Sequence, residues 1–176
     1  TQSNNTASLI KKLFTVKKDG SEDYTTIQAA VDAVQSGDSI YIYNGIYTEN
    51  INLKPQGRKL ILTGESANGV ILDGNKAGTV IKAESSGDII IENMTIRNGL
   101  GPQNEAHSSA GIFLNGNHEN IELNNLILHD NHHYDRGQAI HILSADDSDV
   151  YLRNILAYNN SGGYGGAINF VRGDNN

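Results

Sequence analysis

Short apolar runs recur along the chain with a constant internal order. Five six-residue segments align: Ser39-Ile40-Tyr41-Ile42-Tyr43-Asn44, Lys59-Leu60-Ile61-Leu62-Thr63-Gly64, Asp88-Ile89-Ile90-Ile91-Glu92-Asn93, Asn120-Ile121-Glu122-Leu123-Asn124-Asn125 and Asp149-Val150-Tyr151-Leu152-Arg153-Asn154. Each opens on a polar residue, carries a mostly apolar centre and closes on Asn or Gly. The opening residues lie 20, 29, 32 and 29 positions apart. A second apolar strand follows the closing residue, as in Met94-Thr95-Ile96-Arg97, Leu126-Ile127-Leu128-His129 and Ile155-Leu156-Ala157-Tyr158. After a loop comes a third: Thr79-Val80-Ile81-Lys82, Gly111-Ile112-Phe113-Leu114, Ala139-Ile140-His141-Ile142 and Ala167-Ile168-Asn169-Phe170.

Three strands in every ~20–30 residues describe one rung of a solenoid. The pattern therefore predicts an all-β fold, a parallel β-helix of about five rungs. An antiparallel meander would need two-residue turns, and the spacing does not supply them. The shared sixth position (Asn44, Gly64, Asn93, Asn125, Asn154) predicts an internal ladder of residues that accept a left-handed turn conformation. His141 is expected on the outward face of its alternating strand.

The open end of such a stack is an exposed sheet edge that needs a cover. Residues 25–36 predict an amphipathic capping α-helix: Thr25-Thr26-Ile27-Gln28 has capping-box spacing, and Ile27, Ala30, Val31 and Val34 form one apolar stripe that ends at Gly37. Leu13-Phe14-Thr15-Val16 predicts a strand before it. The expected organisation is a single domain over 1–176, with a flexible arm over 1–12, a cap over 13–37 and rungs over 38–176. No cover is visible at Arg172-Gly173-Asp174-Asn175-Asn176, so further rungs or domains are expected beyond residue 176.

Composition sharpens this. Asn is the commonest residue at 22, Gly numbers 19, and there are two Pro, no Cys and no Trp. A turn-rich chain without disulfides or Cys-based metal sites follows. Charge is uneven. Residues 1–82 carry 9 basic and 8 acidic side chains, a balance of +1, whereas 83–176 carry 4 and 12, a balance of −8. No basic stripe exists for a phosphate backbone, so nucleic acid is excluded as a partner. No apolar run is long enough to span a membrane.

Tyr24-Thr25-Thr26-Ile27-Gln28-Ala29-Ala30-Val31-Asp32-Ala33-Val34, then Gly37-Asp38-Ser39-Ile40-Tyr41-Ile42 and Gly45-Ile46-Tyr47-Thr48-Glu49-Asn50-Ile51, resemble the opening of pectin-lyase-like right-handed β-helix proteins. Pectin methylesterases, polysaccharide lyases and bacterial surface proteins share that opening. The resemblance covers residues 14–98 strongly and the rest loosely. It implies a secreted or cell-surface location and a polysaccharide or cell-surface glycan as partner. The esterase branch carries a Gly-x-Val-Asp-Phe-Ile-Phe-Gly run that is missing here, so the sequence assigns no esterase residues and points away from a pectin methylesterase. Gly162-Gly163-Tyr164-Gly165-Gly166-Ala167-Ile168 is similar to repeats of bacterial surface β-helix proteins.

In a solenoid, loops at one rung position line up on one face. Loops 99–110, 130–138 and 160–166 share such a position and concentrate the titratable side chains. They predict a sugar groove: Tyr134 and Tyr164 to stack on rings, and Glu105, His107, Asn131, Asp135 and Gln138 to hydrogen-bond hydroxyls. Two functions compete. One is a glycan-binding module or rigid stalk. The other is a lyase on an acidic, uronate-containing polysaccharide, with His132 or His133 as base and Arg136 as the cation that stabilises the enolate. For metals, His129, His132, His133 and Asp135 are ligand types for a divalent transition ion, and Asp146-Asp147-Ser148-Asp149 offers oxygen ligands for Ca2+.

Overall fold

A computed structural model describes residues 11–103, 108–134, 139–145, 148–163 and 167–173. Strand β1 (Leu13–Val16) leads into helix α1 (Ile27–Ala33). Five rungs follow: β2 (Ser39–Ile42), β3 (Gly45–Thr48) and β4 (Ile51–Leu53), then β5 (Leu60–Gly64), β6 (Val70–Asp73) and β7 (Ile81–Ala83). In the upper three rungs the first two predicted strands run on as one. These are β8 (Ile89–Arg97) with β9 (Ile112–Gly116), β10 (Asn120–His129) with β11 (Ile140–Ala145), and β12 (Asp149–Tyr158) with β13 (Ile168–Gly173).

Every pairing is parallel. The first sheet stacks β1, β2, β5, β8, β10 and β12, with β3 and β6 beside them; the second stacks β4, β7, β9, β11 and β13. Register carries like residues onto like. Ile51, Ile81, Ile112, Ile140 and Ile168 form one column of the second sheet. Ile40, Leu62, Ile91, Leu123 and Leu152 form one of the first. Burying each such side chain below the top rung contributes about 1.5–3 kcal/mol, so the columns are the main source of cohesion, while Ile168 is exposed and Leu152 only partly buried. The fold is the expected parallel β-solenoid.

The corner asparagines behave differently from expectation. Asn93, Asn125 and Asn154 do adopt left-handed φ values of 59°, 52° and 52°. Asn44 and Gly64 do not. Nor is the ladder internal: Asn125 donates Nδ2 to Asn93 Oδ1 at 2.8 Å on the outer surface. A left-handed residue reverses the in–out alternation, so Leu123 and Leu126 both point inward while Asn124 and Asn125 point out. Gly64 is instead required by crowding, because a Cβ there would sit 2.0 Å from the Asn93 carbonyl oxygen.

The internal ladder lies one corner further on. Asn98, Asp130 and Asn159 take left-handed φ values of 53°, 55° and 51°. The residues that follow, Gly99, Asn131 and Asn160, turn into the stack. Asn131 accepts from Gly99 N–H at 2.9 Å and donates Nδ2 to Ile96 O and to Asn160 Oδ1.

Helix α1 closes the lower end. Thr26 Oγ1 accepts from Ala29 N–H as expected of an N-cap, but the acid of the cap comes from far along the chain: Glu49 accepts from Ile27 N–H and Gln28 N–H, both at 3.0 Å. Gln28 then extends the edge of β4, since its amide accepts from Asn52 N–H and donates to Asn52 O. A side chain thereby supplies the pairing that a free strand edge lacks. At the other end, inward-facing Val150, Leu152, Ile155 and Ala157 are only partly buried. Residues 1–10 of the expected arm and 174–176 lie outside the described residues. Lys12 is tied down, its N–H held by Asp38 Oδ1 at 2.8 Å.

Candidate functional site

The corner between the two sheets is bridged by segments of very different length. Two residues (49–50) cross it in the first rung and seven (74–80) in the second. Fourteen (98–111), ten (130–139) and nine (159–167) cross it above. Short crossings leave the outer face of the second sheet bare in the lower rungs, and residues 100–103 and 108 of the long third crossing stand beside it as a wall. The step between them is a cleft of about 700 Å3.

Its lining can be built strand by strand. On the second sheet, Asn52, Lys82, Phe113, His141 and Asn169 occupy one outward column. Asn52, Lys82 and Phe113 line the cleft. Lys82 Nζ lies 3.0 Å from Glu84 Oε2, and both are half-exposed, so the pair is readily exchanged for ligand contacts. Asn50 fixes one rim by donating Nδ2 to Gly78 O and Thr79 O. Leu100, Gly101, Pro102, Gln103 and Ser108 form the opposite wall, joined by Tyr134 from the next rung.

The loop starts do stack. Leu100, His132 and Ser161 form successive parallel bridges, and Gly101 N–H donates to His132 O while His133 N–H donates to Ser161 O. Four of the sequence-predicted site residues are described, and they divide. Tyr134, 46 % exposed, stands at the cleft with its ring edge-on to His132. His132 is exposed and pairs through Nδ1 with Ser161 Oγ at 2.9 Å.

Asn131 and His133 instead turn inward. Asn131 is 1 % exposed and its amide is committed to the ladder, which removes it as a ligand group. The His133 ring is fully buried, and its Nε2 meets Ser108 Oγ at 2.7 Å. It has no direct path to a bound sugar. Glu105, His107, Asp135, Arg136, Gln138 and Tyr164 lie outside the described residues. His141 is corrected: its position does face outward from the strand, but segment 108–113 covers it, with Nδ1 3.2 Å from Ser108 O and its ring tilted against Phe113.

No group of three metal-ligating side chains occurs among the described residues. His129 is stacked on Tyr158 at 4.9 Å and bonded to Asp130, away from buried His133. Asp146 and Asp147 lie outside the described residues. Sequence reasoning missed Asn50, Asn52, Lys82, Glu84, Phe113 and Ser108. The strand residues among them were legible in principle as the outward positions of the third strands once those were aligned rung on rung.

A capped parallel solenoid with a polar and aromatic cleft on its outer sheet face is a member of the pectin-lyase-like superfamily. Within it, the chain belongs to the pectinesterase family, whose family model, described as Pectinesterase, matches residues 13–116. The exclusion of that branch on a missing motif does not stand against this match. Among its relatives in Arabidopsis thaliana, "Probable pectinesterase/pectinesterase inhibitor 59" is 32 % identical over 107 residues, covering 53 % of this chain and 20 % of the relative. "Pectinesterase 4" is 29 % identical over 122 residues, covering 61 % and 20 %. "Probable pectinesterase/pectinesterase inhibitor 41" is 27 % identical over 110 residues, covering 54 % and 19 %. The chain spans about a fifth of the length of these curated relatives. No helix of the described residues is long and apolar enough to cross a membrane.

Proposed function

We propose that this chain is an extracellular, carbohydrate-active β-helix directed at pectin, and that the cleft over the second sheet holds a segment of the galacturonan backbone. One observation carries the reading. Apart from Tyr134, every described residue lining the cleft falls within 13–116, the part of the chain that matches the pectinesterase family. The chemistry of the lining suits such a ligand. Lys82 is a cation for a uronate carboxylate, Tyr134 offers a ring face to a sugar, and Asn50 and Asn52 bring amide groups to the walls.

The lyase alternative is not favoured. The three relatives above are named as pectinesterases or probable pectinesterases, and the ring of His133, one of its two candidate bases, is buried. Affinity electrophoresis in gels containing polygalacturonate, methyl-esterified pectin or a neutral glucan tests the proposal. Retardation by the galacturonans, lost in Lys82→Ala/Tyr134→Ala with unchanged melting temperature, is the expected result. Migration unaffected by either galacturonan would overturn it.

A further inference from the structure

We propose that the fold singles out Asn68–Gly69 as a site of spontaneous covalent modification, where the asparagine amide is lost through a cyclic imide and part of the chain is rebuilt as isoaspartate.

The sequence holds four Asn–Gly pairs: Asn44–Gly45, Asn68–Gly69, Asn98–Gly99 and Asn115–Gly116. A glycine in second place has no side chain to shield its backbone nitrogen, so all four are open to the same attack in the unfolded chain. Folding closes three of them. Gly45 N–H donates to Gly69 O at 2.9 Å, and the Asn44 amide oxygen accepts from Ser66 Oγ at 2.9 Å. Gly99 N–H is held by the buried amide of Asn131, and Asn98 Nδ2 donates to both oxygens of Asp73. Asn115 and Gly116 lie within β9, in register with Leu143 and Ser144 of β11. In each pair a bond to another rung must break before nitrogen and amide can meet.

Asn68 differs on both counts. It is exposed in the turn between β5 and β6, and its side chain has no hydrogen bond among the described residues. Gly69 N–H bonds within that same turn, to Ser66 O at 3.2 Å and Ser66 Oγ at 3.1 Å. The turn can therefore open locally while the strands on either side stay paired.

The chemistry needs water alone. Gly69 N bonds to Asn68 Cγ as the Cγ–Nδ2 bond breaks, and Nδ2 leaves as ammonia with the proton from Gly69 N. Water then opens the ring. Cleavage of the bond between Gly69 N and Cγ gives aspartate. Cleavage of the bond between Gly69 N and the Asn68 main-chain carbonyl carbon gives isoaspartate. The sum is asparagine plus water to acid plus ammonia.

The isoaspartyl form alters the stack. Its main chain runs through Cβ and Cγ, which inserts one atom between residues 68 and 69. The turn is clamped from both sides: Gly69 O takes Gly45 N–H from the rung below, and Ala67 O takes Thr95 Oγ1 from the rung above at 2.7 Å. Gly69 also lies flush against Asn44, where a Cβ would stand 2.0 Å from Oδ1. A longer backbone cannot keep all three contacts, so conversion loosens a corner that joins three rungs. No described residue of the cleft lining comes from 66–69, so the modification is separate from galacturonan binding.

Incubation of the whole chain in mildly alkaline buffer, with peptide mapping by mass spectrometry and enzymatic methylation of isoaspartate, follows the four pairs. In the folded chain Asn68 is expected to convert at least about tenfold faster than Asn44, Asn98 or Asn115, whereas in urea the four are expected to converge to within about threefold. Asn68→Gln is expected to remove the isoaspartate signal of the folded chain without changing its melting temperature. The separated isoaspartyl form is expected to melt lower than the wild type. Folded Asn68 converting no faster than Asn44 or Asn98, or the same spread of rates in urea, would overturn selection of this site by the fold. An isoaspartyl form that melts with the wild type would overturn the clamp.

Discussion

Asn160 Oδ1 accepts twice from Asn131, from its backbone N–H at 3.1 Å and from its side-chain Nδ2 at 2.9 Å, while Asn160 Nδ2 reaches Leu128 O in the rung below. Each asparagine thus satisfies backbone groups of a rung other than its own. The ladder stops downward at Gly99, where a Cβ would meet Ala110 O at 2.0 Å and Asn131 Oδ1 at 2.9 Å. Replacing Asn131 by Leu strands the Gly99 N–H and the Ile96 carbonyl inside the stack and is expected to cost roughly 2–4 kcal/mol in urea denaturation. Asn125→Ala on the outer corner loses one exposed bond and a tolerated left-handed conformation, an expected cost of roughly 1 kcal/mol. Equal costs would contradict the assignment of inner and outer corners.

Glu49 tests the cover of the lower end. Its two oxygens take the Ile27 and Gln28 N–H groups, so Glu49→Ala strands those two donors and leaves Thr26 as the one cap of the first turn of α1 among the described residues. The expected loss is about 1 kcal/mol, with amide exchange accelerated first in α1 and along the β4 edge that Gln28 pairs. Exchange unchanged in both places would show that the helix is held by its apolar face alone.

Tyr47 is buried among the rungs with its hydroxyl at 2.8 Å from Tyr43 O and 3.2 Å from Val16 O. Burial pushes that hydroxyl up to about 12, so it remains a neutral donor at any working pH. Tyr47→Phe keeps the ring and removes the donor, and is expected to destabilise by about 1–2 kcal/mol without altering the circular dichroism spectrum. A neutral result would mean that water replaces the hydroxyl.

His118 gives the chain a pH dependence. Burial holds its imidazole below the ordinary 6.5, against the Gly87 carbonyl and Asp88, which both favour charge. Its Nδ1 meets Gly87 O at 2.5 Å, and its buried Nε2 has no hydrogen-bond partner among the described residues. With the folded value below the unfolded one, the unfolded chain binds the proton first. The stability contribution is therefore complete above 6.5 and is lost as pH falls below it. His118→Gln is expected to flatten the fall of melting temperature in that window. An identical slope in both proteins would assign the acid sensitivity elsewhere.

The rungs were legible because strand alternation and the spacing of Asn are both periodic, and α1 because its stripe and N-cap are local. What stayed hidden depends on reversal or on distance. A left-handed residue flips the alternation, so counting from Leu123 could not tell whether Asn125 points in or out. Asn131 resembled any polar loop residue until Gly99 and Asn160 were placed around it. Lys82 and Phe113 looked like ordinary outward strand residues, and only the short crossings below make their column a floor. Ser108 and His133 carry no mutual spacing in the sequence, since rung stacking alone sets their distance. The absence of the esterase motif misleads for a related reason: the family match rests on the cap and the lower rungs, residues 13–116, and does not depend on that motif.

The crossings 49–50, 74–80, 98–111, 130–139 and 159–167 differ up to sevenfold in length, yet the strands on either side of them keep register without a slip from Leu13 to Tyr158. Heredity can therefore write on this molecule at two tempos. An insertion in residues 98–111 redraws what the surface touches and leaves the pitch of the stack alone. A single deletion within β10 turns the inward column of that strand outward and breaks its match with both neighbours. Novelty in such a chain accumulates at the corners, and most at this one, as marginal notes beside a text whose line spacing is fixed.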